Sequence, residues 1–138
     1  MSASISRATY YYVMVQDRPG EAYKFLSSLA SGEVNLLAFN AMPTGPAHTQ
    51  LLVFPEDPDR LLRVARQAGF SLSGPHHALL VRGDDELGAL VGIHARLSDA
   101  GINVYAANGV SGGRGGFGYL VYVRPDDFDH AAQILGAV

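Results

Sequence analysis

Asp17–Gly20 reads DRPG, a helical pattern follows it, and Gly32–Asn35 then reads GEVN. Sixty-eight residues further along the chain, Asp85–Gly88 reads DELG, and a similar pattern leads to Gly101–Val104, which reads GINV. Each of these two stretches has the order of a turn, an amphipathic helix and the start of a strand. This self-similarity predicts that the chain contains two copies of one structural unit.

A second set of matching positions supports the duplication. Pro55–Asp59 (PEDPD) corresponds to Pro125–Asp129 (PDDFD) at an offset of seventy, because the second copy has two extra residues in its glycine-rich turn. Apolar residues on the helix face also correspond: Ala22, Phe25 and Leu29 match Leu90, Ile93 and Leu97. Two sets of positions with a consistent offset indicate a genuine repeat.

The first copy has the pattern of a split βαβ unit. Its predicted elements are a strand at Thr9–Gln16, a helix opened by Pro19 and Gly20 and ended by Gly32, strands at Val34–Met42 and Thr49–Phe54, a helix from Asp57 to Gln67, and a strand at Phe70–Leu72. Asp57 before a proline is a typical N-cap, and Gly32 is a typical C′ residue. The order β-α-β-β-α-β is that of ferredoxin-like domains.

The second copy repeats this order but ends early. Its predicted elements are a strand at His77–Val81, a helix at Glu86–Ala100, strands at Ile102–Val110 and Phe117–Val123, and a helix from Asp127 onward. Val138 aligns with Ala68, so no residues remain for a last strand. An open strand edge is an aggregation hazard. We expect the edge beside His77–Val81 to be covered by Ser2–Ala8 or by another subunit.

These patterns predict an α+β protein with two ferredoxin-like βαββαβ units in tandem, at residues 9–75 and 76–138. Each unit is expected to have an antiparallel sheet with helices on one face, and the second lacks its last strand. Apolar residues make up 48% of the 138 residues and charged residues 17%, which excludes a disordered chain. The net charge of −3 argues against electrostatic binding to nucleic acid, and the absence of cysteine excludes thiolate chemistry.

The chain has no apolar stretch long enough to span a membrane. Residues 1–8 carry one charge and no apolar segment, so no secretory signal is expected. These observations predict a cytoplasmic protein.

The succession of strand, DRPG, helix, GxVN and strand resembles the ACT domain, a small ligand-sensing module attached to amino-acid biosynthetic enzymes. The resemblance covers residues 9–138 and occurs twice. It implies a stand-alone tandem regulatory protein that binds a small ligand, an amino acid, and has no catalytic activity. It also implies a homo-oligomer and a metabolic enzyme as a further partner. No cofactor and no metal is expected.

The candidate ligand-binding residues lie in the two loops before the first helix of each copy and at the start of each second strand. They are Asp17, Arg18, Pro19, Gly20, Asn35, Asp85, Gly88 and Asn103. A helix N-terminus opened by glycine can bind a carboxylate, an aspartate can accept from an ammonium, and an asparagine can bond either group. In ACT proteins this loop and this strand typically meet the equivalent parts of a neighbouring copy.

Each of these residues also has a structural explanation. The glycines can serve tight turns, the aspartates can cap helices, and the asparagines can close turns. In the second loop Glu86 and Leu87 replace Arg18 and Pro19, and the added negative charge disfavours a carboxylate there. The first loop is therefore the stronger candidate.

Two glycine and aromatic motifs suggest other functions. Gly113–Gly118 reads GRGGFG, but it lies between two predicted strands, so a hairpin turn is favoured over a dinucleotide site. An RNP1-like strand containing Phe117, Tyr119 and Tyr122 makes an RNA-binding module the first alternative. The acidic charge and the aliphatic strand Ala78–Val81 count against it. A structural accessory subunit without ligand is the second alternative.

The histidines do not predict a metal or catalytic site. No two of the five are spaced i, i+4 on a helix, and no nucleophile elbow is present. His94 occupies the place of Leu26 on the apolar side of its helix, so it is expected to be a half-buried packing residue.

Overall fold

The computed structural model describes residues 3–84, 87–112 and 115–138. Helices and strands alternate along this part of the chain in two rounds of the same order. The elements are β1 (Ser4–Gln16), α1 (Glu21–Ser31), β2 (Leu36–Pro43), β3 (His48–Pro55), α2 (Pro58–Gln67), β4 (Ser73–Asp84), α3 (Leu87–Asp99), β5 (Val104–Ser111), β6 (Gly116–Val123) and α4 (Pro125–Leu135).

The strands of the described chain form a six-stranded sheet in the order β2-β3-β1-β4-β6-β5. β3 pairs antiparallel with β1 and β2, and β6 pairs antiparallel with β4 and β5. An antiparallel sheet with four helices in the repeated βαββα order confirms the predicted α+β class of two ferredoxin-like units.

The chain divides into two compact units, and both boundaries fall inside strands. One unit is Thr9–His76, and the other is His77–Val138 together with the segment that ends at Ala8. Because β1 crosses the first boundary and β4 the second, each of these strands contributes to both units. Each unit therefore has four strand segments. We refer to them as the first unit and the second unit.

The core of the first unit lies between its strands and its two helices. Alternate residues of β1 and β3 point to the helices, as the two-residue period of a strand requires. The core residues are Tyr11 and Val13 of β1, Leu51 and Val53 of β3, Phe25 and Leu29 of α1, Leu61 of α2 and Val34. Fully burying one such side chain contributes about 1.5–3 kcal/mol.

The segment after α2 differs from its prediction. Phe70–Leu72 was expected to be a strand, but it has no strand structure, and the last strand of the first unit begins at Ser73. Phe70 instead packs edge-on against Phe25, with ring centroids 4.9 Å apart. Leu72 also packs against this core. Burial of these two side chains takes precedence over strand pairing here.

The second unit has an equivalent core. Leu79 and Val81 of β4 and Val121 and Val123 of β6 face the helices. The helices contribute Ile93, Leu97, Phe128, Ala131, Ala132 and Leu135.

The amino-terminal segment supplies the strand that the second copy lacks. The Val138 N–H donates to the Ile5 carbonyl at 3.0 Å, and the Arg7 N–H donates to the Val138 carbonyl at 2.9 Å. The Ser6 hydroxyl lies 3.5 Å from the Leu80 carbonyl of β4. Ala3 and Ile5 pack against the core of the second unit. The expectation that the amino-terminal segment covers this edge is confirmed.

Helix α2 begins as its sequence predicts. The Asp57 carboxylate accepts a hydrogen bond from the Arg60 N–H at 3.2 Å, and Pro58 occupies the first helical position. This is the N-cap arrangement that satisfies one of the free N–H groups of a helix start.

Helix α1 ends differently from its prediction. Gly32 has φ −89°, so it is not the left-handed C′ residue, and Glu33 takes that conformation instead with φ 58°. Gly32 is required for another reason, since a Cβ there would lie 2.5 Å from the Val64 side chain of α2. In the second copy Gly101 has φ 74° and occupies the position of Glu33. The expected role of Gly32 is therefore wrong, and close packing of α1 on α2 is the reason.

No helix in the described part of the chain has the length and apolar character needed to cross a membrane.

Candidate functional site

The loop Asp17–Gly20 joins β1 to α1 at an exposed end of the first unit. All four residues are exposed. The Asp17 N–H donates to the Ala47 carbonyl at 2.9 Å, which fastens the loop to the β2–β3 hairpin. Gln16 also pairs with His48 at the same end. The loop is therefore held at its base, while its side chains face solvent.

The start of α1 at Gly20 is exposed to solvent. Gly20 is the N-cap residue with φ 91°, a left-handed conformation that favours glycine, and no side chain caps the helix. A Cβ at Gly20 would meet no atom within 4 Å, so the space beside it is free. The alternative that Asp17 caps this helix is thereby wrong. The first-turn N–H groups of α1 have no side-chain acceptor from the N-cap, as an anion site needs.

A charge cluster adjoins this helix start. The Arg18 Nε donates to Glu21 Oε2 at 3.1 Å, and Lys24 Nζ donates to the same oxygen at 3.4 Å. The hydrogen bond from Arg18 is the main cause that lowers the pKa of Glu21 below 4.5, and the bond from Lys24 adds to it. Arg18 and Lys24 remain largely exposed. With Asp17, the helix start carries two cations and two carboxylates.

Asn35 does not meet this loop within one unit. It follows the carboxyl end of α1, and its carbonyl accepts from the Glu56 N–H at 2.9 Å. Helix α1 has 11 residues and is therefore about 16 Å long. The ammonium and carboxylate of a free amino acid share one carbon atom, so a single molecule does not bridge Gly20 and Asn35 of the same unit.

The second copy has the same separation. Asp85 lies outside the described residues. Gly88 is exposed in the first turn of α3, and a Cβ there would meet no atom within 4 Å. Asn103 is exposed just before β5, past the other end of this 13-residue helix. Gly88 and Asn103 therefore lie towards opposite ends of α3, a helix about 20 Å long.

Asn103 instead lines a concavity of about 440 Å³ in the second unit. His94, Ser98 and Asn103 provide its polar groups, and the half-buried Val104 and the core residues Leu97 and Ile102 complete the lining. His94 is half-buried, as its sequence position predicted. Its Nε2 atom lies 2.6 Å from the Tyr119 hydroxyl on β6. Burial raises the pKa of Tyr119.

Sequence reasoning missed two parts of these sites. Glu21 and Lys24 could have been noticed, because they lie three residues apart in the first turn of α1 and carry opposite charges. The bond between His94 and Tyr119 joins residues that are 25 positions apart on a helix and a strand. The one available signal was that His94 replaces an apolar Leu26 in the repeat.

The aromatic residues of β6 do not form a stacking surface. Phe117 and Tyr119 pack against the core under the helices, and Tyr119 is bonded to His94. Tyr122 is one residue out of phase with them, so its ring lies on the other face, where it is 5% exposed. The RNA-binding alternative needs exposed rings on one face, and this arrangement does not support it.

The glycine-rich motif connects two strands. β5 and β6 pair antiparallel on either side of it, and the Gly112 N–H donates to the Gly116 carbonyl at 2.7 Å. Residues 113 and 114 of the motif lie outside the described part. The hairpin interpretation is confirmed, because no helix follows the motif as a dinucleotide site requires. Within the described ranges, no three His, Asp or Glu side chains are grouped so that they could hold a metal ion.

No family model matches the chain, and no curated protein matches it. Solved structures do match over nearly the full length. Protein BT0572 from Bacteroides thetaiotaomicron matches with a TM-score of 0.79 at 15% identity, covering 97% of this chain and 88% of that one. The ligand-free regulatory subunit of aspartate kinase from Thermus thermophilus matches with a TM-score of 0.67 at 13% identity, covering 99% and 95%.

A third match is the structure of aspartokinase alpha and beta subunits, with a TM-score of 0.60 at 18% identity, covering 98% of this chain and 95% of that one. The chain has a tandem ACT-type fold. The resemblance seen in the repeated motifs is thereby confirmed for the fold. The sequence identities to these structures are all below 20%, so the matches support the fold alone.

Proposed function

We propose that this ACT-type protein is a stand-alone regulator that binds a free amino acid at the loop Asp17–Gly20. The observation that carries the proposal is the exposed, uncapped start of α1 at Gly20, with the charge cluster of Arg18, Glu21 and Lys24 beside it. The likeness in fold to regulatory subunits of aspartate kinase supports a regulatory role.

The chemistry of this loop suits a zwitterion. The ligand carboxylate would accept from the first N–H groups of α1, with Arg18 and Lys24 as nearby cations. The ligand ammonium would donate to the exposed carboxylate of Asp17. Pro19 would restrict the loop to one conformation, which reduces the entropy lost on binding. The open space beside Gly20 would admit the Cα of the ligand close to the backbone.

The site would be completed by a second copy of the chain. Asn35 lies too far from Gly20 in its own unit, so a neighbouring copy would have to supply it. This arrangement favours a homo-oligomer in which the ligand stabilises one relative arrangement of the copies, a population shift. A metabolic enzyme would be the downstream partner, and the cytoplasm the location. No catalytic step is assigned to the protein.

In the second copy, Asp85, Gly88 and Asn103 would form a weaker version of the same site. The sequence of this loop lacks counterparts of Arg18 and Pro19 and adds the negative charge of Glu86. Fewer cations near the helix start would bind a carboxylate less strongly.

The test is a thermal-shift panel of the twenty amino acids, followed by calorimetry on those that stabilise the protein. We expect at least one to raise the melting temperature with saturation. Arg18→Ala should weaken that amino acid about tenfold, as loss of a charged hydrogen bond predicts. Arg63→Ala, an exposed arginine on α2, is the matched control and should leave the affinity unchanged. A panel without any stabilising amino acid would contradict the proposal.

A further inference from the structure

The concavity beside α3 is a different environment from the loop at Asp17–Gly20. Its volume of about 440 Å³ falls in the range of small-molecule sites. Its described lining residues include Val104 and two nearly buried core residues, Leu97 and Ile102, and none of the lining residues carries a carboxylate, a guanidinium or an ammonium. An ionised ligand group would find no carboxylate, guanidinium or ammonium partner among these residues. The lining therefore suits an uncharged ligand.

Its polar groups are an imidazole, a hydroxyl and an amide. His94 and Ser98 are four residues apart, so they lie on the same face of α3. Asn103 adds an amide, which offers a donor and an acceptor side by side. An amide of this kind is complementary to a ligand that also presents a donor next to an acceptor, as amides and the edges of nitrogen heterocycles do.

A hydrogen bond to Tyr119 fixes the orientation of the His94 ring. The Tyr119 hydroxyl lies 2.6 Å from Nε2, and the raised pKa of Tyr119 keeps the phenol protonated. This bond occupies Nε2 and leaves Nδ1 as the ring nitrogen available to a ligand. The ring of Tyr119 has room because Gly109 lies opposite it, where a Cβ would approach the ring to 2.8 Å.

The first unit has no such arrangement. By the repeat, His94 corresponds to Leu26 and Tyr119 corresponds to Thr49, so neither partner of the hydrogen bond is present there. A packing role alone would be served by leucine, as it is in the first unit. The histidine and its tyrosine partner are thus a feature of the second unit.

We propose that this concavity, formed by His94, Ser98 and Asn103 beside Val104, is a second binding site, for a small uncharged heterocycle with adjacent donor and acceptor groups. Tyr119 acts as a positioning residue for His94. The site shares no residue with the loop at Asp17–Gly20, so it does not depend on amino-acid binding there. Its Asn103 is also part of the weaker second-copy site proposed above.

The test uses two probes of the same shape, nicotinamide and nicotinate, with adenosine as a larger uncharged probe. Each is titrated into the full-length ¹⁵N-labelled protein and followed by NMR. We expect nicotinamide or adenosine to shift the signals of His94, Ser98 and Asn103 with saturation, and nicotinate to bind at least tenfold more weakly. Saturable shifts confined to other residues, or equal binding of nicotinate and nicotinamide, would overturn the proposal, as would no saturable shift from either uncharged probe.

Variants then separate the role of each group. His94→Leu, which introduces the residue of the first unit, should weaken the binding probe about tenfold, and Tyr119→Phe about threefold, by loss of one hydrogen bond. Arg18→Ala should change nothing here, and His94→Leu should leave any amino-acid binding at the loop intact. Circular dichroism of each variant confirms folding. Unchanged affinity in both His94→Leu and Asn103→Ala would overturn the assignment.

Discussion

The first and second units share one sequence pattern, but different residues form their fourth strand and the end of their leading helix. The first unit takes its fourth strand from the chain that follows α2, at Ser73–His76, whereas the second takes it from the chain that precedes Thr9. The first ends its leading helix with Glu33 in a left-handed conformation, and the second uses Gly101. Both units have a fourth strand and a left-handed residue after the leading helix, so the fold requires these features. The residues that provide them differ between the units.

Removal of residues 1–8 tests the largest difference. The deletion removes Ala3 and Ile5, which pack against the core of the second unit, and leaves the part of β4 in that unit with β6 alone beside it. We expect the free energy of unfolding to fall by about 3 kcal/mol or more, with aggregation, as for the loss of large core side chains. Urea denaturation and size-exclusion chromatography measure both effects.

The control for this deletion is Arg7→Ala. Arg7 forms an exposed ion pair with Asp129, 3.2 Å apart, and such pairs contribute about 0–1 kcal/mol. Its effect should therefore stay far below that of the deletion. If the truncated protein unfolds at the same urea concentration as the intact one, the second unit does not need the amino-terminal segment.

Gly32→Ala tests the close packing of α1 on α2. The new Cβ would lie 2.5 Å from Val64, so one of the helices must shift, and we expect a loss of about 1–3 kcal/mol in denaturant unfolding. Val64→Ala should partly rescue the variant. The matched control is Gly92→Ala in α3, where a Cβ meets no atom within 4 Å and better helix propensity should stabilise by about 0.5–1 kcal/mol. If both substitutions stabilise the protein, or both destabilise it, this explanation is wrong.

Exchange of residues at the helix ends tests the second difference, which is the residue that ends the leading helix of each unit. Glu33→Gly should stabilise the protein by about 0.5–1 kcal/mol, because glycine adopts φ 58° without the steric cost that glutamate bears. Gly101→Ala, at φ 74°, should destabilise it by about 1 kcal/mol for the same reason. Thermal unfolding of both variants measures these changes. A destabilising Glu33→Gly would show that the side chain of Glu33 outweighs its backbone strain.

The smallest effect concerns the pH dependence of the charge cluster. The pKa of Glu21 is lowered, so its ionised form is favoured in the folded state. This contribution to stability is present above the unfolded pKa and is lost as the pH falls through the folded pKa, below 4.5. A carboxyl ¹³C NMR titration should show the pKa of Glu21 rising in Arg18→Ala and rising less in Lys24→Ala. A larger rise in Lys24→Ala would reverse the assigned order of the two partners.

Much of the fold was predictable because it is encoded by local patterns. The helices followed from apolar spacing, and the start of α2 followed from Asp57 before Pro58, a cap that needs only neighbouring residues. The strand at Phe70–Leu72 was wrong, because an apolar segment can either pair or fill a core, and only the position of Phe25 decides between them.

For the candidate site, the sequence supplied a list of candidate residues and not their geometry. The loop at Gly20 is open as expected, but Asn35 lies at the far end of α1. The sequence brings the loop and the asparagine into one motif, and the rigid length of the helix keeps them apart. The bond between His94 and Tyr119 depends on the packing of α3 against β6, which no local pattern specifies.

The two motifs at Asp17–Asn35 and Asp85–Val104 predicted the duplication and the resemblance to the ACT fold, because turns, caps and helix periodicity act over a few residues. The tertiary structure alone decided which segment completes the second unit, why Gly32 must lack a side chain, and that His94 meets Tyr119. Each of these depends on contacts between residues far apart in the chain, whose partners are chosen by packing.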